Sequence, residues 1–226
     1  MIDRMNPSPL TRNVDGFERP ILLHAQGLGF AYPGVTLFED LSFALPAGLS
    51  FVRGGEGRGK TTLLRLMAGE LQPTSGRLLG TSGASAAAGP QGQDVFRAEP
   101  PEDRDDPVTP QQWWQRLSQR FAGWDGELLD ELSAGFDLDV HRDKAMFMLS
   151  TGTRRKVWLA AAFASGARLT LLEKPFAALD GRSRALLAEL LSEAATHPRR
   201  AWVLADYEWP AGLAPAAPAQ VIDLGD

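Results

Sequence analysis

One stretch constrains this chain more than any other: GGEGRGKTT at 54–62. It fits the spacing G-x-x-x-x-G-K-[ST], with Gly54, Gly59, Lys60 and Thr61 at the fixed positions. That pattern has meaning only where a strand runs into it and a helix leaves it, and both are written here. GLSFVRG (48–54) reads as a buried strand, and Thr61–Leu71 reads as a helix with Leu63, Leu64, Leu66 and Met67 available for packing. Gly54, Gly55, Gly57 and Gly59 let the backbone wrap closely, so that successive N–H groups point inward at phosphate oxygens. Lys60 supplies a positive charge at the β- and γ-phosphates, and the Thr61 hydroxyl, followed by Thr62, is placed to ligate Mg²⁺. The helix starting there adds the positive end of its dipole.

The rest of the chain is read around that loop. The 226 residues are enough for one large domain, or a domain carrying a smaller insert. With 44% hydrophobic and 23% charged residues, the composition is that of an ordinary globular protein. A net charge of −5 leaves no basic stripe to match a phosphate backbone, which argues against a nucleic-acid partner. The chain has no cysteine, so disulfides and thiolate-bound metals are excluded. No run approaches the ~18 apolar residues that span a bilayer, and MIDRMNPSPLTRNVDGFERP lacks the apolar core of a secretory signal. The expectation is a cytoplasmic chain that meets a membrane only through a partner.

Residues 1–18 read as a loose tail. ILLHAQGLGFAY and TLFEDLSFAL then read as strands divided by the Pro33-Gly34 turn. TSGASAAAGPQG (81–92) reads as a surface loop. Thr109-Pro110-Gln111-Gln112 is a capping-box start with proline at the first helical position. Trp113, Leu117, Phe121 and Trp124 follow at helical spacing, a stripe best read as core. Further helices are expected over 127–134, 152–165 and 182–194, and strands at DVFRA and over 168–173, 201–206 and 220–224. Strands alternating with helices imply a parallel sheet, with the helical stretch inserted into it.

Four more segments fall in a telling order. LPAG (45–48) precedes the phosphate loop and QPTSG (72–76) follows its helix; LSTGTRRK (149–156) lies just before RLTLLEKP (168–175), and ALD (178–180) comes next. In this order and spacing, over about residues 20–226, the chain resembles the ATP-binding cassette (ABC) family. The resemblance implies an α/β P-loop fold with a mostly parallel sheet flanked by helices. It also implies an N-terminal antiparallel β part and a helical subdomain over about 100–165, within a nucleotide-binding domain of 19–226. ATP and Mg²⁺ are the implied cofactors. Tyr32 stands where the family stacks an aromatic ring on adenine, though it also reads as a strand residue. Leu149, Ser150 and Gly152 match the signature that holds the γ-phosphate bound on an opposite subunit, while Thr151 and Thr153 depart from it. Leu179 and Asp180 match the family's dimer-contact loop.

The hydrolytic positions do not match. The family closes the second acidic strand with Asp-Glu-Pro, and Pro175 fixes that register here. Glu173 therefore stands at the Mg²⁺-shell position, reaching the ion through water, and Lys174 stands at the catalytic glutamate. Loss of a general base is usually worth ~10²–10⁴-fold, and a protonated lysine has no lone pair with which to orient a water. Tyr207 occupies the switch-histidine position; His197 precedes its strand and belongs at the wrong end of the sheet. The family glutamine is expected near Ala98–Pro100, where AEPPEDRDDP has none. The resemblance thus implies the ATP-binding subunit of a membrane transporter with no intact catalytic set of its own and weakened Mg²⁺ dependence. Its expected partners are a separate transmembrane subunit and an intact cassette in a heterodimer, with a homodimer as the alternative. A soluble ATP-responsive clamp and a slow homodimeric transporter ATPase are the competing readings.

Overall fold

The computed structural model describes residues 11–12, 18–80, 94–97, 107–210, 212–213 and 218–225. Pro33-Gly34 turns the chain as expected, with Gly34 in the left-handed region at φ 79°. The turn joins β3 (Ile21–Tyr32) to β4 (Val35–Pro46) in an antiparallel pair. Ahead of them, β1 (Thr11–Arg12) pairs antiparallel with β2 (Glu18–Arg19). Residues 11–12 thus pair with 18–19, at the end of the stretch that the sequence reads as a loose tail.

β5 (Gly48–Arg53) leads into the phosphate loop, and α1 (Lys60–Met67) leaves it. The helix stops four residues short of the predicted Leu71 because Gly69 takes φ 73° and ends it in the left-handed fashion typical of glycine. An unpredicted strand, β6 (Ser75–Gly80), then joins β3 antiparallel. The pairing needs its first glycine: a Cβ on Gly76 would lie 2.1 Å from the Gly27 carbonyl oxygen. The loop expected over 81–92 lies outside the described residues.

β7 (Val95–Arg97) begins the second half of the main sheet. The helical insert follows as α2 (Pro110–Arg120), α3 (Gly126–Gly135) and α4 (Thr151–Ala164). The α2 capping box closes both ways: Gln112 N–H donates to Thr109 Oγ1, and Thr109 N–H to Gln112 Oε1, each at 3.2 Å. The predicted stripe does pack on the core, but its anchor is Trp114 rather than Trp113. Trp114 is fully buried and donates its indole N–H to the Val157 carbonyl of α4 at 3.1 Å, while Trp113 stays half-buried. The chain continues through β8 (Leu169–Glu173), α5 (Gly181–Ala195), β9 (Ala201–Asp206) and β10 (Gln220–Asp223).

The main sheet is wholly parallel, in the order β10-β5-β9-β8-β7, and all its strands but the edge strand β10 serve two cores. Leu49, Phe51, Leu172, Trp202 and Leu204 face α2–α5. Val52, Leu169, Leu171, Val203 and Ala205 face α1 and the antiparallel sheet. This two-residue alternation with both faces buried explains why these strands read as continuous apolar runs. The register aligns Arg53 with Asp206 and Glu173 with Ala205, so β5, β9 and β8 end together. Ligands of open α/β sheets bind at that carboxyl edge.

Candidate nucleotide-binding site

At the end of β5 the chain turns into the loop under tight constraint. A Cβ on Gly54 would lie 3.1 Å from Leu224 Cβ and 3.3 Å from the Gly225 carbonyl oxygen. The Gly55 N–H donates to that same carbonyl at 2.9 Å, so residues just past β10 clamp the start of the loop. Gly57 and Gly59 sit at φ 76° and 90°, where a side chain would be strained. Gly59 is the N-cap of α1 and offers no side-chain acceptor, so no side chain closes the helix's first turn.

Lys60 is buried, and its ammonium lies within the loop, donating to the Gly54 carbonyl at 2.5 Å and the Gly55 carbonyl at 2.7 Å. An ammonium held inside a ring of backbone, beside an open helix N-terminus, is a fitting seat for a polyphosphate. Tyr32 closes this side: its hydroxyl is 3.4 Å from Thr62 Oγ1, and its ring stands edge-on to Phe30 with 42% of the residue exposed. An exposed ring beside the loop is available for stacking on a base.

Across the sheet edge, Thr61 Oγ1 donates to Glu173 Oε1 at 2.5 Å. A hydroxyl and one carboxylate suit Mg²⁺, a hard cation usually bound through one or two carboxylates plus substrate phosphates. No cluster of three or more His, Cys, Asp or Glu residues exists among the described residues, so no metal cage competes with that arrangement. Thr61 and Glu173 would hold the ion, which would neutralise charge on the phosphates and supply Lewis acidity.

Lys174 follows at φ 44°, an uncommon conformation for a residue with a side chain. Its N–H donates to the Ala205 carbonyl at 2.9 Å, and its carbonyl accepts from the Arg155 guanidinium at 2.7 Å. The side chain is exposed at the mouth of a cleft of ≈ 250 Å³, shared with Phe176, Arg184, Asp206 and Glu208. Tyr207 lies beyond β9, 56% exposed, with its N–H bound to Asp206 Oδ1. A phenol there can donate a hydrogen bond. His197 sits at the other end of β9, where its Nδ1 accepts from the Arg199 and Arg200 N–H groups.

Ser150, Gly152 and the 178–180 loop form one joint. Ser150 caps α4, its Oγ accepting from Thr153 N–H at 3.1 Å and lying 2.9 Å from Thr153 Oγ1. Leu149 is buried beneath it. A Cβ on Gly152 would lie 2.5 Å from the Ala178 carbonyl oxygen, so glycine lets the two segments touch. Leu179 packs partly buried against the core. Asp180 caps α5 through Ser183 N–H and pairs with Lys156 at 2.5 Å. Those bonds, Lys156 first, hold its carboxyl below the usual carboxylate range.

Two segments on separate strands thus carry a phosphate loop and a carboxylate in hydroxyl contact, with a capped LSTG helix docked on the loop that follows. Residues 38–177 match the ABC transporter family. This chain belongs to that family. It is 36% identical over 224 residues to the cytochrome c biogenesis ATP-binding export protein CcmA of Alkalilimnicola ehrlichii, covering 90% of this chain and 92% of the relative. It is 33% identical over 186 residues to the taurine import ATP-binding protein TauB of Pseudomonas syringae pv. tomato. That second match covers 75% of this chain, which spans 66% of TauB's length. Among solved structures, an ATP-binding subunit of an ABC transporter superposes with a TM-score of 0.68 at 20% identity, over 81% of this chain and 79% of that one. At that identity the likeness carries the fold alone.

The structure gathers most of the predicted ABC residues at one sheet edge: the loop through Thr62, Tyr32, Glu173, Lys174 and Tyr207. Leu149, Ser150, Gly152, Leu179 and Asp180 form the adjacent joint. The expected glutamine position, Ala98–Pro100, lies outside the described residues. Sequence reading overlooked Arg155 and Lys156, whose only signal is a basic run, RRK at 154–156, that resembles a solvated helix face. It also overlooked Asp206 and Glu208, which become neighbours of Lys174 only in the fold. No described helix is long and apolar enough to cross a membrane.

Proposed function

We propose that this chain is the ATP-binding subunit of a membrane transporter, that it holds ATP on its own phosphate loop, and that it hydrolyses that ATP weakly or not at all. It works with a separate transmembrane subunit and lends its LSTG segment to an intact cassette in a heterodimer. The observation that carries this reading is the contact between Glu173 and Thr61. It supports Glu173 as the metal-side carboxylate and leaves Lys174, next in sequence, where the family places its water-orienting glutamate. A cation there repels a general-base role and attracts phosphate, which favours retained binding with reduced need for Mg²⁺.

The same arrangement supports a division of labour. The groups this chain would offer to its own γ-phosphate are altered at Lys174 and Tyr207. The group it would offer to a partner is Ser150, which caps α4, with Gly152 two residues on. A second reading, a slow homodimeric ATPase, draws on Asp206 and Glu208, two carboxylates that line the same cleft as Lys174. A phosphate-release assay on the purified chain separates the two. The proposal expects turnover indistinguishable from a Lys60→Ala control, whereas robust activity abolished by Lys60→Ala defeats it.

A further inference from the structure

We propose that Arg155 is a positioning residue for Lys174: its guanidinium holds the turn beyond β8 from which the Lys174 ammonium reaches the terminal phosphates of a bound nucleotide. The inference rests on the reading that the 54–62 loop binds ATP. Lys174 is held in the left-handed region by hydrogen bonds of its backbone alone, one of them from the Ala177 N–H to its carbonyl at 3.1 Å. Its N–H is fixed to Ala205 of β9, and its carbonyl is fixed by Arg155 of α4 at 2.7 Å, with the Glu173 carbonyl 3.4 Å from the same nitrogen. The ammonium itself makes no hydrogen bond or ion pair among the described residues. The backbone that carries it therefore sets the point from which it reaches.

Arg155 is built for that task. It is half-buried and rests 5.9 Å over the Trp158 ring; burial lowers its pKa, and the nearby carboxylates of Glu173 and Asp206 offset part of that cost. It thus ties α4 to the end of β8, close to the carboxylate that ends β9. In an extended strand, consecutive side chains pass to opposite faces. The left-handed residue breaks that alternation directly after Glu173, and it leaves Lys174 at the carboxyl edge, beside Asp206 and Glu208. Without the guanidinium the Lys174 carbonyl keeps only the Ala177 N–H, and the strained residue relaxes more readily to a commoner conformation.

The test is calorimetric titration of the full chain with ATP, in EDTA and in Mg²⁺, for wild type, Arg155→Ala, Arg155→Gln, Lys174→Ala and the Arg155→Ala/Lys174→Ala double variant. The readout is the ratio of Kd in EDTA to Kd in Mg²⁺. A displaced ammonium forfeits a charge-assisted contact, so Arg155→Ala should raise that ratio by ~10-fold, as should Lys174→Ala. Adding Arg155→Ala to Lys174→Ala should raise it no further. Arg155→Gln keeps one N–H donor for the carbonyl and should recover part of the loss; it also carries the comparison if Arg155→Ala fails to fold. Equal weakening in EDTA and Mg²⁺, or an undiminished Arg155 effect without Lys174, overturns the inference while leaving ATP binding in place. Absence of ATP binding by the wild type overturns the underlying reading and the inference with it.

Discussion

Replacing Gly152 by alanine adds one methyl group at the most crowded point between the LSTG helix and the 178–180 loop. The new Cβ would lie 2.5 Å from the Ala178 carbonyl oxygen, against an ordinary contact distance of 3.4 Å or more, so 3.4 − 2.5 = 0.9 Å must be found by moving backbone. Neither side gives easily. Ala178 is itself left-handed at φ 59°, and two residues on Asp180 is held by Lys156 and Ser183. On the other side, α4 is anchored by its Ser150 cap and by Arg155. Overpacking of this kind costs ~1–3 kcal/mol, offset by the ~0.5–1 kcal/mol that alanine gains over glycine inside a helix. The net expectation is a loss of up to about 2.5 kcal/mol, centred near 1, or a Tm lowered by roughly 2–4 °C at that centre for a domain of this size. Gly126→Ala is the matched control, because Gly126 opens α3 and a Cβ there meets nothing within 4 Å. Thermal and urea melts followed by circular dichroism should show Gly126→Ala equal to or above wild type and Gly152→Ala clearly below it. If the two variants melt together, the close approach at Ala178 does not exist in solution and the joint is wrongly described.

Lys174→Glu should leave phosphate release near background, because Tyr207 still stands at the switch position; strong turnover from this one change would show that Lys174 alone silences the site. Ser150→Asp keeps the α4 cap, since aspartate caps as well as serine, but it sets a negative charge where a partner's γ-phosphate would come. In the complex purified from its native membrane it should abolish ATPase activity at an unchanged Tm, while Lys60→Ala should only reduce activity; equal losses from both would defeat the heterodimer. Asp180 has a folded-state pKa held below its unfolded value, so its contribution is fully present above the unfolded value of ~3.9 and is lost as pH falls through the folded one. Asp180→Asn keeps the cap and should cost under ~1 kcal/mol at pH 7, because the carboxylate is more than half exposed. It should also flatten the stability decline below about pH 4, and an unchanged slope in acid melts would count against the pairing with Lys156.

Local sequence by itself determined the elements whose chemistry is self-contained. The phosphate loop needs glycines at fixed offsets and a helix that starts on them, and GGEGRGKTT supplies both. The Thr109 capping box, the Pro33-Gly34 turn and the doubly buried strands are equally local, because each is decided by residues within a few positions of one another. Glu173, Lys174 and Pro175 could be placed for the same reason: the proline fixes the count.

Tertiary structure decided whatever depends on residues distant in sequence. Nothing local marks Gly76 as a point of close approach until β6 is laid against Gly27, and the helical stripe points to Trp113 until α4 brings the Val157 carbonyl to the indole of Trp114. Arg155 and Lys156 look like solvated charges. They become fixed only because α4 docks where the carbonyls of Glu173 and Lys174 and the carboxylate of Asp180 need donors. Side-chain identity limits what a residue can bond. Which of those bonds forms depends on what the fold brings within 3 Å or so, and no periodicity along the chain carries that distance.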